Sequence, residues 1–342
     1  MSGKRSIRVA VLSGDPELPY SYGVDGRFPP EEVEGVDRVM EALESLEGFT
    51  PIRMDHHADY IDALRSDPPD IALNFCDTGY WNLLSNELNL PGFLEMIEVP
   101  YTGAGPVCMS FCSDKALVRL LAANQGIPVP NEKFVDLTND PLDLPDLYPA
   151  MIKPNAGCGS IGISADSVVH DAAEADAYLR RLAGELERPQ ALIQDFLDGP
   201  EYTLGVLGNP ETGLEFLPVL EIDYSRLDPN LPPILSYGSK ADPDSAYWNA
   251  LQFRQAELDE ETHAAMIRQS AWLFDRLGFR DYARVDFRAG RDGVPRLLDA
   301  NFNPTWSPDG KLALKASWAG YDYPTLLKKI LEAAMARQGI QR

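Results

Sequence analysis

The chain has 342 residues, 44% of them hydrophobic, enough for two or three globular bodies and too apolar for general disorder. Its formal net charge of −23, from 53 acidic and 30 basic residues, repels nucleic-acid backbones and anionic membranes. No apolar run approaches the ~20 residues of a membrane span, and the N-terminus shows no apolar leader core, so the expected location is the cytoplasm. Cys76, Cys108, Cys112 and Cys158 form neither a disulfide framework nor paired C-x-x-C motifs, and buried thiols are expected.

In chain order, Ile7–Leu12 reads as a buried strand ending in Ser13-Gly14-Asp15, followed by a helix with Val33, Val36, Val39, Met40, Leu43 and Leu46 at helical spacing. Residues 70–75 form a second buried strand. Residues 80–97 read as helix interrupted at Pro91-Gly92, and 99–105 as a short strand and glycine turn. This alternation predicts an α/β first body with a parallel sheet, ending near residue 112. Ser113 is the expected N-cap of a helix over 114–124 closed by Gly126. Strands follow at 149–153, 163–164 and 191–197, with a helix at 171–186, and a second boundary falls near Asp198-Gly199-Pro200. The bodies are therefore expected at 1–112, 113–198 and 199–342. In the last, strands at 201–207 and 214–222 precede an irregular stretch, 223–257, expected to be a mobile lid. A helix at 259–277, a hairpin, an aromatic loop from Trp306 to Trp318 and a helix at 324–337 complete the chain.

Two stretches carry chemistry. The hairpin pairs Tyr282-Ala-Arg-Val-Asp-Phe-Arg288 with Arg296-Leu-Leu-Asp-Ala-Asn-Phe-Asn-Pro304 across Gly290-Arg-Asp-Gly293. Strand alternation puts Arg284 and Asp286 on one face and Asp299, Asn301 and Asn303 on one face, with Leu298, Ala300 and Phe302 behind. Hard oxygen ligands of this kind suit Mg²⁺ shared with phosphates, although amphipathic strands with solvated polar faces look similar. The second stretch is the loop after Lys153, where Gly157, Gly159, Gly162 and Ser160 make a flexible flap whose backbone N–H groups suit phosphates. It matches neither the Walker nor the dinucleotide fingerprint.

Together with Ser113-Asp-Lys115, Val99-Pro-Tyr-Thr-Gly103, Gln194-Asp-Phe-Leu-Asp-Gly-Pro-Glu201 and Leu217-Pro-Val-Leu-Glu-Ile222, these motifs resemble the ATP-grasp enzymes of the D-alanine–D-alanine ligase group over residues 70–310. The resemblance implies a three-body ATP-grasp fold of α/β and α+β type, with ATP between the second and third bodies, and a homodimer. It implies a reaction in which ATP phosphorylates a carboxylate and an amine attacks the acyl phosphate. Lys115 and Lys153 would hold phosphates, with Gly157, Gly159, Ser160 and Gly162 closing over the reacting groups. Gln194, Phe196 and Leu197 would line the adenine pocket, where the family usually opens with glutamate. Glu201 would take the ribose hydroxyls and Lys240 the γ-phosphate. Asp286, Asp299 and Asn301 would hold two Mg²⁺ (or Mn²⁺), and Arg284 the oxyanion.

The substrate signatures of that group are missing together. No residue aligns with its N-terminal glutamate, its flap serine and loop tyrosine are replaced by Gly159 and Ala241, and its serine segment by Thr305-Trp-Ser-Pro-Asp-Gly-Lys311. Thr305 and Lys311 are the substrate candidates, with Lys311 either an anchor for the attacking amino acid's carboxylate or a surface lysine. The expected activity is an ATP-dependent ligase joining an amino acid to a carboxylate other than D-alanine. The alternatives are a divergent D-alanine–D-alanine ligase and an inactive nucleotide-binding regulator. Retention of Lys240, Arg284, Asp286 and Asn301 together argues against the regulator, because a pure binder needs no oxyanion arginine.

Overall fold

The computed structural model describes residues 5–341 except 22, 24–25, 141, 158–159 and 243, and only the backbone of 240 and 241. The first sheet is parallel, in the order β2 (Phe49–Met54), β1 (Ile7–Leu12), β3 (Ile71–Asn74). β1 and β3 are near-continuous apolar runs because helices cover both faces of such a sheet. One cover is α1 (Pro30–Glu44), which opens with proline and with Glu31 and Glu32 in its first turn, where the helix dipole favours acids. The other is α2 (His57–Ser66).

β2 and α2 go beyond the sequence reading. Pro51 and Arg53 interrupt the strand's apolar pattern, which an edge strand tolerates. Two short 3-10 turns occupy 80–86, and α3 (Asn89–Met96) runs through Pro91. The expected interruption does not occur, because Pro91 lies in the first turn, where its missing N–H has no intrahelical partner. Residues 99–105 form a single bridge, Tyr101 to Ala72, rather than a strand. α4 (Pro106–Cys112) ends at Ser113, so the cap of α5 (Lys115–Asn124) falls one residue later than expected. There Asp114 accepts from the Leu117 N–H at 3.0 Å.

The second sheet is antiparallel, ordered β4 (Glu132–Asp136), β7 (Gln190–Asp195), β5 (Ala150–Pro154), β6 (Val168–Val169). Helix α6 (Ala172–Glu185), capped by Asp171, lays Leu179 and Leu182 on Ile152 and Ile193. The strand expected at 163–164 is instead the entry to a 3-10 turn capped by Ser164.

The third sheet runs β11 (Gln252–Gln255), β10 (Leu220–Asp223), β8 (Glu201–Asn209), β12 (Tyr282–Ala289), β13 (Pro295–Asn301). The strand expected at 214–222 is split by Leu217-Pro218-Val219 into β9 (Gly213–Phe216) and β10, and both pair with β8. The 223–257 stretch contains one helical turn, α7 (Gly238–Ala241), and β11. Helix α8 (Glu260–Leu277) ends at Gly278 in the left-handed region. The aromatic loop contains a helix, α9 (Lys311–Trp318), whose Leu312, Ala313 and Ala316 are buried, and α10 (Tyr323–Arg337) closes the chain.

The sheets are separate, but their cores are not. Val9, Val11, Val36 and Leu43 share one apolar cluster with Leu326, Leu327, Ile330 and Leu331 of α10. Beside that cluster, the fully buried Asp281 carboxylate accepts from Gly103 N–H at 2.8 Å, Asn209 at 3.0 Å and Arg337 at 2.8 and 3.0 Å. Backbone from the first body and side chains from the last meet on one charge.

Candidate active site

A cleft of about 1050 Å³, open mouth included, lies between the second and third sheets. Its floor is the β12–β13 hairpin. The register pairs Arg284 with Asn301 and Asp286 with Asp299, so their side chains share one face. Arg284 Nε lies 2.9 and 3.2 Å from the two Asp286 oxygens, and Nη2 lies 2.9 Å from Oδ2. Asn301 Nδ2 donates to the same Oδ2 at 2.9 Å. Burial works against ionisation of Asp286, but the Arg284 charge and hydrogen bonds overcome it and hold the carboxyl down at about 2. Arg284 Nη1 makes no hydrogen bond among the described residues.

A bulge modifies the expected alternation. Asp286 pairs with Asp299 but Phe287 pairs with Leu297, so Leu298 is the extra residue and lines the cleft instead of lying behind. Asn303 leaves the row as well. It lies past the end of β13 and accepts from the Ala104 N–H at 3.1 Å.

The opposite wall comes from the second sheet. Lys153, at the end of β5, is 7% exposed; burial, then the neighbouring Arg119 charge, lowers its ammonium to about 7. Lys115, at the start of α5, donates to the Gly157 carbonyl, while Asn155 Oδ1 accepts from Ala116 N–H at 2.9 Å and ties that helix to the flap root. Gly157 and Ser160 line the cleft. Gly162 does not: its carbonyl is held by Tyr178 at 2.6 Å and its Cα faces Pro154, where a Cβ would come within 2.7 Å of the ring. Gly159 lies outside the described residues, as does the side chain of Lys240.

At the inner end, Gln194, Phe196, Leu197 and Glu201 all line the cleft. Gln194 Nε2 donates to Glu132 at 2.7 Å, which directs its amide oxygen away from that partner, with no hydrogen bond to it among the described residues. Glu132 is itself held by Arg119 at 2.6 Å. Of the two substrate candidates, Lys311 begins α9, lines the cleft and stands 5.3 Å over the Phe253 ring. Thr305 is exposed and is not among the lining residues.

Four contributors escape the sequence pattern. Glu132 lies on a short strand with no motif. Arg288 and Tyr224 both contact Glu201. Lys315, fully buried one turn after Lys311, donates to Thr203 Oγ1 at 3.1 Å, directly across from Asp286 in the register. Burial and the Arg284 charge lower its ammonium well below the usual lysine range. Only the i, i+4 spacing with Lys311 on a helix could have signalled it.

A parallel N-terminal sheet followed by two antiparallel sheets facing across a polar cleft defines an ATP-grasp protein. The chain can be superposed on the D-alanine–D-alanine ligase of Bacillus anthracis complexed with ATP, with a TM-score of 0.72 and 22% identity, covering 98% of this chain and 99% of that one. The VanG D-Ala:D-Ser ligase of Enterococcus faecalis gives 0.68 at 16% identity, covering 96% and 100%. In sequence, residues 123–332 match the family described as D-ala D-ala ligase C-terminus. The D-alanine–D-alanine ligase of Pelotomaculum thermopropionicum is 26% identical, covering 98% of this chain and 99% of its own length. Protein y4sG of Sinorhizobium fredii is 30% identical over 253 residues, 73% of this chain and 70% of that one. This chain belongs to the D-alanine–D-alanine ligase family of ATP-grasp proteins. No helix among the described residues is long and apolar enough to cross a membrane.

Proposed function

We propose that this ligase joins an amino acid to a carboxylate other than D-alanine, forming ADP and phosphate through an acyl phosphate. The observation that carries the reading is the shared face of Arg284, Asp286, Asp299 and Asn301 opposite Lys115 and Lys153 in one cleft. Two carboxylates and a carboxamide are hard oxygen donors that fit Mg²⁺, and each carboxylate keeps acceptor capacity beyond its present partners. Those three residues would hold it, supplying charge neutralisation to the triphosphate when bound. The bodies 1–112, 113–198 and 199–342 would move against each other as the cleft closes, with 223–257 as the lid carrying Lys240.

Within that frame, Lys153 and Lys115 bind and orient phosphates. An acid oxygen attacks the γ-phosphorus, the bond to the β,γ-bridging oxygen breaks, and ADP leaves. The amine nitrogen then attacks the acyl carbon. Arg284 receives the developing oxyanion on its unengaged Nη1 edge, and collapse expels phosphate as the nitrogen gives up its proton to solvent. A preorganised donor of this kind is worth about 3–4 kcal/mol.

Two observations support a different acid and amine: the D-alanine signatures are absent at Gly159, Ala241 and 305–311, and a lysine, Lys311, ends the last of these stretches and begins the helix after it. Phosphate release across pairs of acids and amino acids tests the reading. The expected result is turnover with a mixed pair; preferential turnover of D-alanine alone refutes the altered substrate. Absence of ATP hydrolysis with any acid refutes the ligase.

A further inference from the structure

One buried network at the site is accounted for neither by the motifs nor by the reaction. Arg288 faces Glu201 across the β8–β12 register, and its Nη1 donates to Glu201 Oε2 at 3.2 Å. Tyr224 OH donates to the same oxygen at 2.8 Å. Arg288 is 5% exposed and Glu201 6%, so both charges are held away from water. The guanidinium also stands 5.3 Å from the ring of Phe196 and 5.5 Å from that of Tyr224. Its Nε and Nη2 have no acceptor among the described residues.

A buried ion pair is expensive to desolvate, and an apolar pair of similar volume often serves stability as well or better. Conformational specificity is what such a pair can supply. Both donors converge on Oε2, and Oε1, on a side chain that lines the cleft, has no hydrogen bond among the described residues. Without Arg288, Glu201 would keep only the Tyr224 hydroxyl as a donor on Oε2, and its carboxylate would be free to turn. A carboxylate that turns no longer presents a fixed acceptor to a pair of sugar hydroxyls.

We propose that Arg288 and Tyr224 are positioning residues that hold the Glu201 carboxylate in the orientation that reads the ribose hydroxyls, making the cleft selective for a ribonucleotide over its deoxy counterpart. The inference rests on the nucleotide reading above.

The test uses the full chain with Mg²⁺ and the turnover-incompetent pair ADP and 2′-deoxyADP, with 3′-deoxyADP as a third probe, by titration calorimetry. The wild-type chain is expected to prefer ADP to at least one deoxy form by on the order of tenfold, the value of one charge-assisted hydrogen bond. Arg288→Met is expected to bring that ratio below about threefold, and Tyr224→Phe, which keeps the ring and the ion pair, to lower it by a smaller factor. A merely structural role would lower thermal stability and weaken all three nucleotides alike, leaving the ratio fixed; that result overturns the proposal. If Arg288→Met does not fold, an unchanged ratio in Tyr224→Phe overturns it and a reduced one supports it. A wild-type chain that binds ADP and the deoxy forms equally overturns the ribose role alone. A chain that binds none of them refutes the nucleotide reading itself.

Discussion

Arg284→Met separates catalysis from nucleotide binding more directly than any other single change. Arg284 makes three N–H···O contacts of 2.9, 3.2 and 2.9 Å with Asp286, and those contacts hold the carboxyl near 2 against its burial. Returning that carboxyl to its ordinary 3.8 corresponds to roughly 2–3 kcal/mol. The variant is therefore expected to lose on the order of 2–4 kcal/mol of stability and still fold, since stabilities of 5–15 kcal/mol are usual. Catalysis should suffer more specifically. Loss of an oxyanion donor costs about 10²–10³ in kcat, whereas Lys115, Lys153 and Gln194 make no hydrogen bond to Arg284 among the described residues. Steady-state phosphate release and ADP titration on the same preparation give both quantities. Turnover down at least a hundredfold with ADP affinity within about threefold supports the assignment. Parallel loss of both would show Arg284 to be a strut for the floor and refute its chemical role.

Lys153, at about 7 because of burial and then the Arg119 charge, is largely neutral above that pH and must take up a proton to meet a phosphate as a cation. ADP binding near pH 8, measured by calorimetry in buffers of different ionisation heat, is expected to take up more protons than near pH 6, and Lys153→Met to abolish the difference; an unchanged difference in the variant removes Lys153 from the phosphate site. Glu87 is pushed up to about 8 by burial and then by Asp77, so its folded value lies above its unfolded one. The stability it contributes is present below about 4.5 and lost as pH rises through 8. Glu87→Gln should consequently raise the Tm more at pH 8 than at pH 5, and an equal change at both would show that Glu87 is not the titrating group.

The hairpin was legible because strand alternation is local: Arg284, Asp286, Asp299 and Asn301 follow from a period of two. Leu298 escaped because a bulge is a property of two strands together, and neither strand alone records it. β4 and α9 escaped for different reasons. β4 (Glu-Lys-Phe-Val-Asp) is short, charged and at a sheet edge, with no period to read, yet it supplies Glu132 to Gln194. The 306–318 stretch reads as aromatic loop because Trp306 and Trp318 draw the eye from Leu312, Ala313 and Ala316, which have helical spacing. Arg288 and Tyr224 were beyond reach for a third reason. They lie 64 positions apart in the chain and are brought together only by the register of β8 with β12 and by the return of the chain from β10. The polar ligands of a site sit in motifs, but the residues that aim them are placed by tertiary structure.

The apolar cluster that joins α1 and β1 to α10 has a consequence for how the protein is born. Val36, Val39 and Leu43 find Leu327, Ile330 and Leu331 only after nearly 300 further residues have been synthesised. Until then the apolar face of α1 is covered only in part, by the strands of the first sheet, and Gly103 lacks the Asp281 carboxylate that its N–H will later meet. Completion of the first sheet's core is thus deferred until α10 has been synthesised. A ribosome stalled before α10 would hold a chain with every ligand-bearing strand of the cleft already made and its first body still exposed to chaperones and proteases.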